Sequence, residues 1–106
     1  MSATTYAPSF QISSDKRLKS NIKPIEDGLE KVTQLTGCTF DKVGVDHNTA
    51  GLIAQEVESI LPQAVSNNAD GYKSIDYSAV VGLLVQAIKQ LNQKVEQLKS
   101  QPPVTE

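Results

Sequence analysis

Ser14 and Lys19, five residues apart in the stretch SSDKRLKSNI from Ser13 to Ile22, are the pair whose types and spacing could do covalent chemistry. A serine hydroxyl is a poor nucleophile until a base takes its proton, and a lysine can serve where no histidine is at hand. The one histidine, His47, lies well downstream. Lys19 would have to be neutral to act. An ordinary lysine titrates near about 10.4, so a base poised near neutrality needs roughly 4 kcal/mol of help from its surroundings. Two sources are visible: the like charges of Lys16 and Arg17, and loss of solvent when neighbouring chains pack over the turn. The second source would tie activity to assembly. A plainer reading has Ser13 or Ser14 capping a helix and DKRLK as a solvated face. On this stretch alone both readings stand.

Spacing constrains the element that must hold the pair. Five residues along a regular helix turn through about 140° net, so the two side chains would not share a face. They can meet if Ser14 sits at or before the cap and Lys19 reaches back towards the N-terminus. Ser14 or Asp15 is the expected cap, and Pro24 disfavours helix at Lys23, so the turn should be short.

The rest of the chain must position this turn. A second helical start follows in PIEDGLEKVTQLTG, where Leu29, Val32 and Leu35 recur at helical spacing and Gly37 suits the stop. Cys38 to Val43, CTFDKV, predicts a strand, with turn chemistry in GVDHNTAG after it. GLIAQEVESILPQAV places Ala54, Val57, Ile60 and Leu61 on one helical face, stopped by Pro62. SNNADG reads as a turn and YKSIDY as a strand. A hairpin or short sheet with a helix laid across it would bury these faces. Asp76 could start the long helix that follows, and Tyr77 could fill the core. Gln55 and Glu56 are accounted for by the helix start, His47 is a loop residue that could assist the site or touch a neighbour, and Cys38 is a small buried hydrophobe.

Val81, Leu84, Ile88, Leu91, Val95 and Leu98 step by 3, 4, 3, 4, 3, an unbroken heptad with β-branched residues at a and leucine at d. From Lys89 to Gln101 everything outside a and d is polar, a stripe too narrow for an ordinary core-facing helix. This helix should self-associate. Pattern rules for parallel coiled coils lean towards two strands and do not settle two against three. Three heptads are marginal alone, so the oligomer must lean on the globular part.

Composition narrows the function classes. With 106 residues, 39% of them hydrophobic, the chain can build one modest core. Ten basic against twelve acidic residues, with no strongly basic half, give no electrostatic case for nucleic acid. Cys38 and His47 alone make neither a disulfide nor a metal site, and no cofactor is expected. The opening MSATTYAPSF lacks the features of a signal peptide, and no run is long enough to span a bilayer, so no membrane partner is expected.

Taken together and in order, SSDKRLKSNI, GLIAQEVESILP and SIDYSAVVGLLVQAIKQLNQKVEQL resemble the intramolecular chaperone auto-processing domain, the peptidase S74 type, of phage tailspikes, tail fibres and endosialidases. The resemblance runs from Ser14 into the heptads, about nine tenths of the chain. It implies a homotrimer that assists folding of an intertwined stalk of the same polypeptide and then cuts itself off. In the family motif S-D-x-R-x-K the serine is the nucleophile, the lysine its partner, and the chain breaks before the serine. Those positions here are Ser14 and Lys19, with Asp15 and Arg17 the other matches, and the bond would be Ser13–Ser14.

The expected architecture is α+β: a small globular part of short strands and helices, then a long C-terminal helix forming a parallel trimeric coiled coil. Residues 1–13 would be a remnant of the upstream stalk, 14–80 the globular part, 81–101 the coiled-coil helix and 102–106 a disordered tail. The expected function is that of a C-terminal chaperone of a phage tail fibre or tailspike, acting in the host cytoplasm during virion assembly and released by autoproteolysis. The competing expectation keeps the trimerising fold with Ser14 and Lys19 inert.

Overall fold

The computed structural model describes residues 11–44 and 48–101. Helix α1 (Gly28–Val32) is followed by strands β1 (Cys38–Asp41) and β2 (Asn48–Gly51) and helix α2 (Ala54–Ile60). A 3-10 turn at Pro62–Ala64, strands β3 (Val65–Asn67) and β4 (Lys73–Ile75), and helix α3 (Tyr77–Ser100) follow. Each strand pair is an antiparallel hairpin, with Cys38 opposite Gly51 in the first and Val65 opposite Ile75 in the second. The architecture is therefore α+β with a long C-terminal helix, as the sequence led one to expect.

The core forms where apolar faces coincide. Val57, Ile60 and Leu61 come from the predicted face of α2, Ala64 from the turn after it, and Val80 and Leu83 from the first turns of α3. Ile25, Val32, Leu35, Leu52, Val65, Ile75 and Ala79 pack round this cluster. Leu61 closes α2 by donating its N–H to Val57 O at 2.7 Å, and Pro62, which cannot continue that ladder, opens the 3-10 turn instead. Helix α3 starts where the Asp76 carboxylate accepts from Ser78 N at 2.9 Å.

Two glycines allow close approaches. A Cβ on Gly28 would lie 2.8 Å from Ala87 N and 3.0 Å from Gln86 Cβ, so α1 can lie on α3 only because position 28 has no side chain. A Cβ on Gly51 would lie 2.7 Å from the Tyr77 hydroxyl, which accepts from Leu52 N at 3.1 Å. Tyr77 thus ties β2 to the root of α3 from a half-exposed position and does not fill the core.

Other local expectations also need correcting. Helix α1 ends at Val32, and Thr33, with its N–H on Leu29 O, is the C-cap, so Gly37 is not its stop. The segment NTAG is a strand and not a turn: its backbone completes the ladder that β1 needs, whatever its composition favours. Ser66 and Asn67, read as part of a turn, belong to β3 for the same reason. Cys38 is half-buried at the edge of the first hairpin, its thiol 3.5 Å from Gly51 O. Glu56 stands in the first turn of α2, where a carboxylate suits the helix dipole, and its Oε1 also accepts from Thr36 N at 3.2 Å.

Candidate functional site

Residues 11 to 24 are exposed throughout, and Ile25 is the first of the described residues to meet the core. Within this strap the one regular element is a 3-10 turn at Lys16–Leu18. Asp15 is its N-cap: the carboxylate accepts from Arg17 N at 2.8 Å, and Leu18 N returns to Asp15 O at 3.0 Å. Lys19 closes the turn with its N–H on Lys16 O at 3.1 Å. Ser14 therefore stands just outside the turn at one end and Lys19 at the other.

Across that short element Lys19 Nζ donates to Ser14 Oγ at 2.6 Å. A tighter 3-10 turn and a lysine reaching backwards bring together two side chains that a regular helix would hold apart. Arg17 is occupied elsewhere. Its Nε donates to Asp15 Oδ1 at 3.1 Å and its terminal nitrogen to Oδ2 at 2.9 Å, a two-pronged pairing. The guanidinium and then the backbone N–H of Arg17 hold the Asp15 carboxyl below its ordinary value, and Asp15 in turn raises Arg17. Among the described residues no carboxylate lies within ion-pairing distance of Lys19.

Ser13, Ser14, Asp15, Arg17 and Lys19 thus share one exposed strap that no other element covers. Ile12, Leu18 and Ile22 show large apolar side chains to solvent on the same strap. His47 lies outside the described residues.

The second candidate surface is on α3, which presents two apolar stripes. Val80, Leu83 and Ala87 are buried, facing α1 and the core, and Gln90 Oε1 extends the line by accepting from Leu29 N at 2.9 Å. One residue further on, about 100° round the axis, Val81, Leu84, Ile88, Leu91, Val95 and Leu98 are between 41% and 67% exposed. The domain packs on α3 through the first stripe and leaves the heptad stripe uncovered. From Leu91 to Ser100 every residue is exposed, so about 15 Å of helix projects past the body. Sequence reasoning found the heptad stripe and missed the inward one, which has the same 3, 4, 3 spacing but carries Ala87 and Gln90 where leucine would have signalled it.

Residues 14–66 match the family model for peptidase S74, described as the chaperone of endosialidase. The match starts at Ser14 and takes in the strap, α1, the first hairpin, α2 and the beginning of β3. Among curated proteins, the chain is 43% identical over 103 residues to the long tail fiber protein Gp37 of Enterobacteria phage K3, covering 89% of the chain and 8% of that protein. It is 42% identical over 99 residues to Gp37 of Enterobacteria phage M1, covering 84% of the chain and 39% of that protein. It is 32% identical over 107 residues to Gp37 of Salmonella phage S16, covering 91% of the chain and 14% of that protein. The chain therefore spans only a minor part of the length of these relatives.

Proposed function

The chain belongs to the peptidase S74 family, the chaperone of endosialidase, and on that premise we propose that it is the C-terminal chaperone of a phage long tail fibre, which trimerises, supports folding of the stalk before it, and releases itself by cutting Ser13–Ser14. The observation that carries the cleavage is the 2.6 Å approach of Lys19 Nζ to Ser14 Oγ. With its proton lost, the Lys19 amine accepts the Ser14 hydroxyl proton. Oγ then attacks the Ser13 carbonyl carbon, the C–N bond breaks, and the Ser14 nitrogen leaves as an amine with the proton returned by Lys19. Water hydrolyses the resulting ester, freeing a Ser13 carboxylate and restoring the Ser14 hydroxyl. Atoms balance with one water consumed, and no cofactor takes part.

The uncovered stripe on α3 supports assembly, because six apolar side chains in heptad register are what a parallel helix bundle buries. Three copies sharing that seam would form the homotrimer, with the upstream stalk of the same polypeptide as client. Exposure of the strap favours a second reading in which the module trimerises and folds its client with Ser14 and Lys19 inert. The two readings converge if assembly covers the strap: loss of solvent then favours the neutral amine and switches cleavage on.

Intact mass of the freshly purified protein, followed over several days beside Ser14→Ala and Lys19→Ala, tests the proposal. A 14–106 product from the unaltered chain alone is the expected result. Its absence, repeated in a longer chain that carries the upstream stalk, would leave the inert module.

A further inference from the structure

The Asp15–Arg17 pair bears on how Lys19 is kept available. Asp15 precedes Lys19 by four positions, the two flanking the Lys16–Leu18 turn as its N-cap and C-cap. It is also the nearest acidic residue along the chain, the next being Glu26. A lysine paired with a carboxylate holds its proton more firmly, which is the opposite of what a base attached to Ser14 requires. Yet Lys19 is turned to Ser14, and both carboxylate oxygens of Asp15 are taken by Arg17, through three N–H groups at 2.8, 3.1 and 2.9 Å.

We infer that Arg17 is a positioning residue that keeps the Asp15 carboxylate from capturing Lys19 and so leaves the Lys19 amine to Ser14. The inference rests on the proposed cleavage. The charged groups around Lys19 are those of its own strap: Asp15, Lys16, Arg17 and Lys23. Among the described residues, no charged side chain of α1, α2, α3 or either hairpin forms a hydrogen bond or ion pair with Lys19. Asp15 keeps a second task, capping the turn through Arg17 N, and an asparagine can do that equally well. The negative charge at position 15 can therefore be removed while the cap is retained.

This separates shielding from simple stiffening of the turn. If Arg17 only stiffens the strap, removing it slows cleavage at every pH, and a further change of Asp15 cannot help. If it shields Lys19, the damage comes from the freed carboxylate, and removing that charge repairs it. The test compares the unaltered chain with Arg17→Ala, Asp15→Asn and the double variant. Two readouts are followed: release of 14–106 as a function of pH, and the rate at which acetic anhydride acetylates Lys19, with Lys16 and Lys23 as internal references.

Arg17→Ala is expected to slow cleavage near neutral pH about tenfold and to move its rise to higher pH. Acetylation of Lys19 should fall with it, and Asp15→Asn in the same chain should restore both to within about threefold of the unaltered protein. An unchanged Lys19 acetylation rate in Arg17→Ala, or a loss that Asp15→Asn does not repair, overturns the inference. Acetylation needs no cleavage. If it follows the expected pattern while no chain is cut, the shielding role stands and the cleavage proposal falls.

Discussion

Gln90 Oε1 accepts the Leu29 backbone N–H at 2.9 Å across 61 positions of sequence, so the first turn of α1 is capped by a side chain of α3. Asp27, the local N-cap, makes no side-chain hydrogen bond and sits in the left-handed region at φ 56°. A helix of five residues has little stability of its own, and this bond anchors it where it packs. Gln90→Ala should lower stability by about 1–2 kcal/mol, read as a fall in the urea midpoint at fixed chain concentration. An unmoved midpoint would mean that water serves Leu29 equally well.

Gly28→Ala opposes two effects of known sign. Alanine is the better helix former by about 1 kcal/mol. Its methyl, however, would meet the backbone of α3 at 2.8 Å, and backbone cannot rotate aside. Overpacking of this kind costs about 1–3 kcal/mol, so net destabilisation is expected in the same urea experiment. A gain in stability would show that α1 can move off α3 freely.

The heptad stripe can be altered with little effect on the body of a single chain, because it contributes nothing to the core cluster. The paired change Ile88→Glu and Leu91→Glu should therefore dissociate the proposed trimer while near-native circular dichroism persists. Sedimentation equilibrium is the check, the expected result being a fall from three chains to one. Retention of the full mass would place the contact between copies elsewhere, with the apolar strap residues Ile12, Leu18 and Ile22 as the next to examine.

Asp15 provides a pH test of the turn. Its carboxyl is held below the ordinary 3.8 by Arg17, so the folded group is the stronger acid. For a lowered carboxyl the contribution is present above the ordinary value and is lost as pH falls through the folded one. The turn should thus be fully formed at neutral pH and come apart only in acid below 3.8. Carboxyl carbon NMR of Asp15 should titrate below that value, and in Arg17→Ala the midpoint should rise. A midpoint at or above 3.8 in the unaltered chain would mean that the pairing does not persist in solution.

The elements that announced themselves did so by side-chain pattern. Val57, Ile60 and Leu61 ahead of Pro62 described α2, and Asp76 ahead of a long apolar period described the start of α3. Ser14 and Lys19 were singled out as a pair by the S-D-x-R-x-K motif, and their spacing said only how they could meet. One strand of each hairpin was harder to see, β2 in the first and β3 in the second, because Asn48 and Gly51, like Ser66 and Asn67, favour turns by composition. Ladder hydrogen bonds to β1 and β4, their partners across each hairpin, decide their state, and no residue type in these segments announces that pairing. The placement of α1 was hidden for a different reason: Gly28 and Leu29 are explained by Ala87 and Gln90, about sixty residues away. The Asp15–Arg17 clamp was visible only as two motif positions, since nothing in residue type says which basic side chain a carboxylate will choose.

The bare strap of residues 11 to 24 also changes how strongly anything on its two sides is held together. Under the proposed function, a client joined before Ser14 would meet the chaperone, while the strap is whole, at the effective concentration of a short tether, in roughly the millimolar range. The proposed cut would remove that concentration and make the encounter bimolecular. Because Ile25 is the first of the described residues packed on the core, a body severed at Ser13–Ser14 would keep that packing. Dilution alone would then make the parting one-way: the chaperone would remain folded, and its former client would be too sparse in solution to be found again.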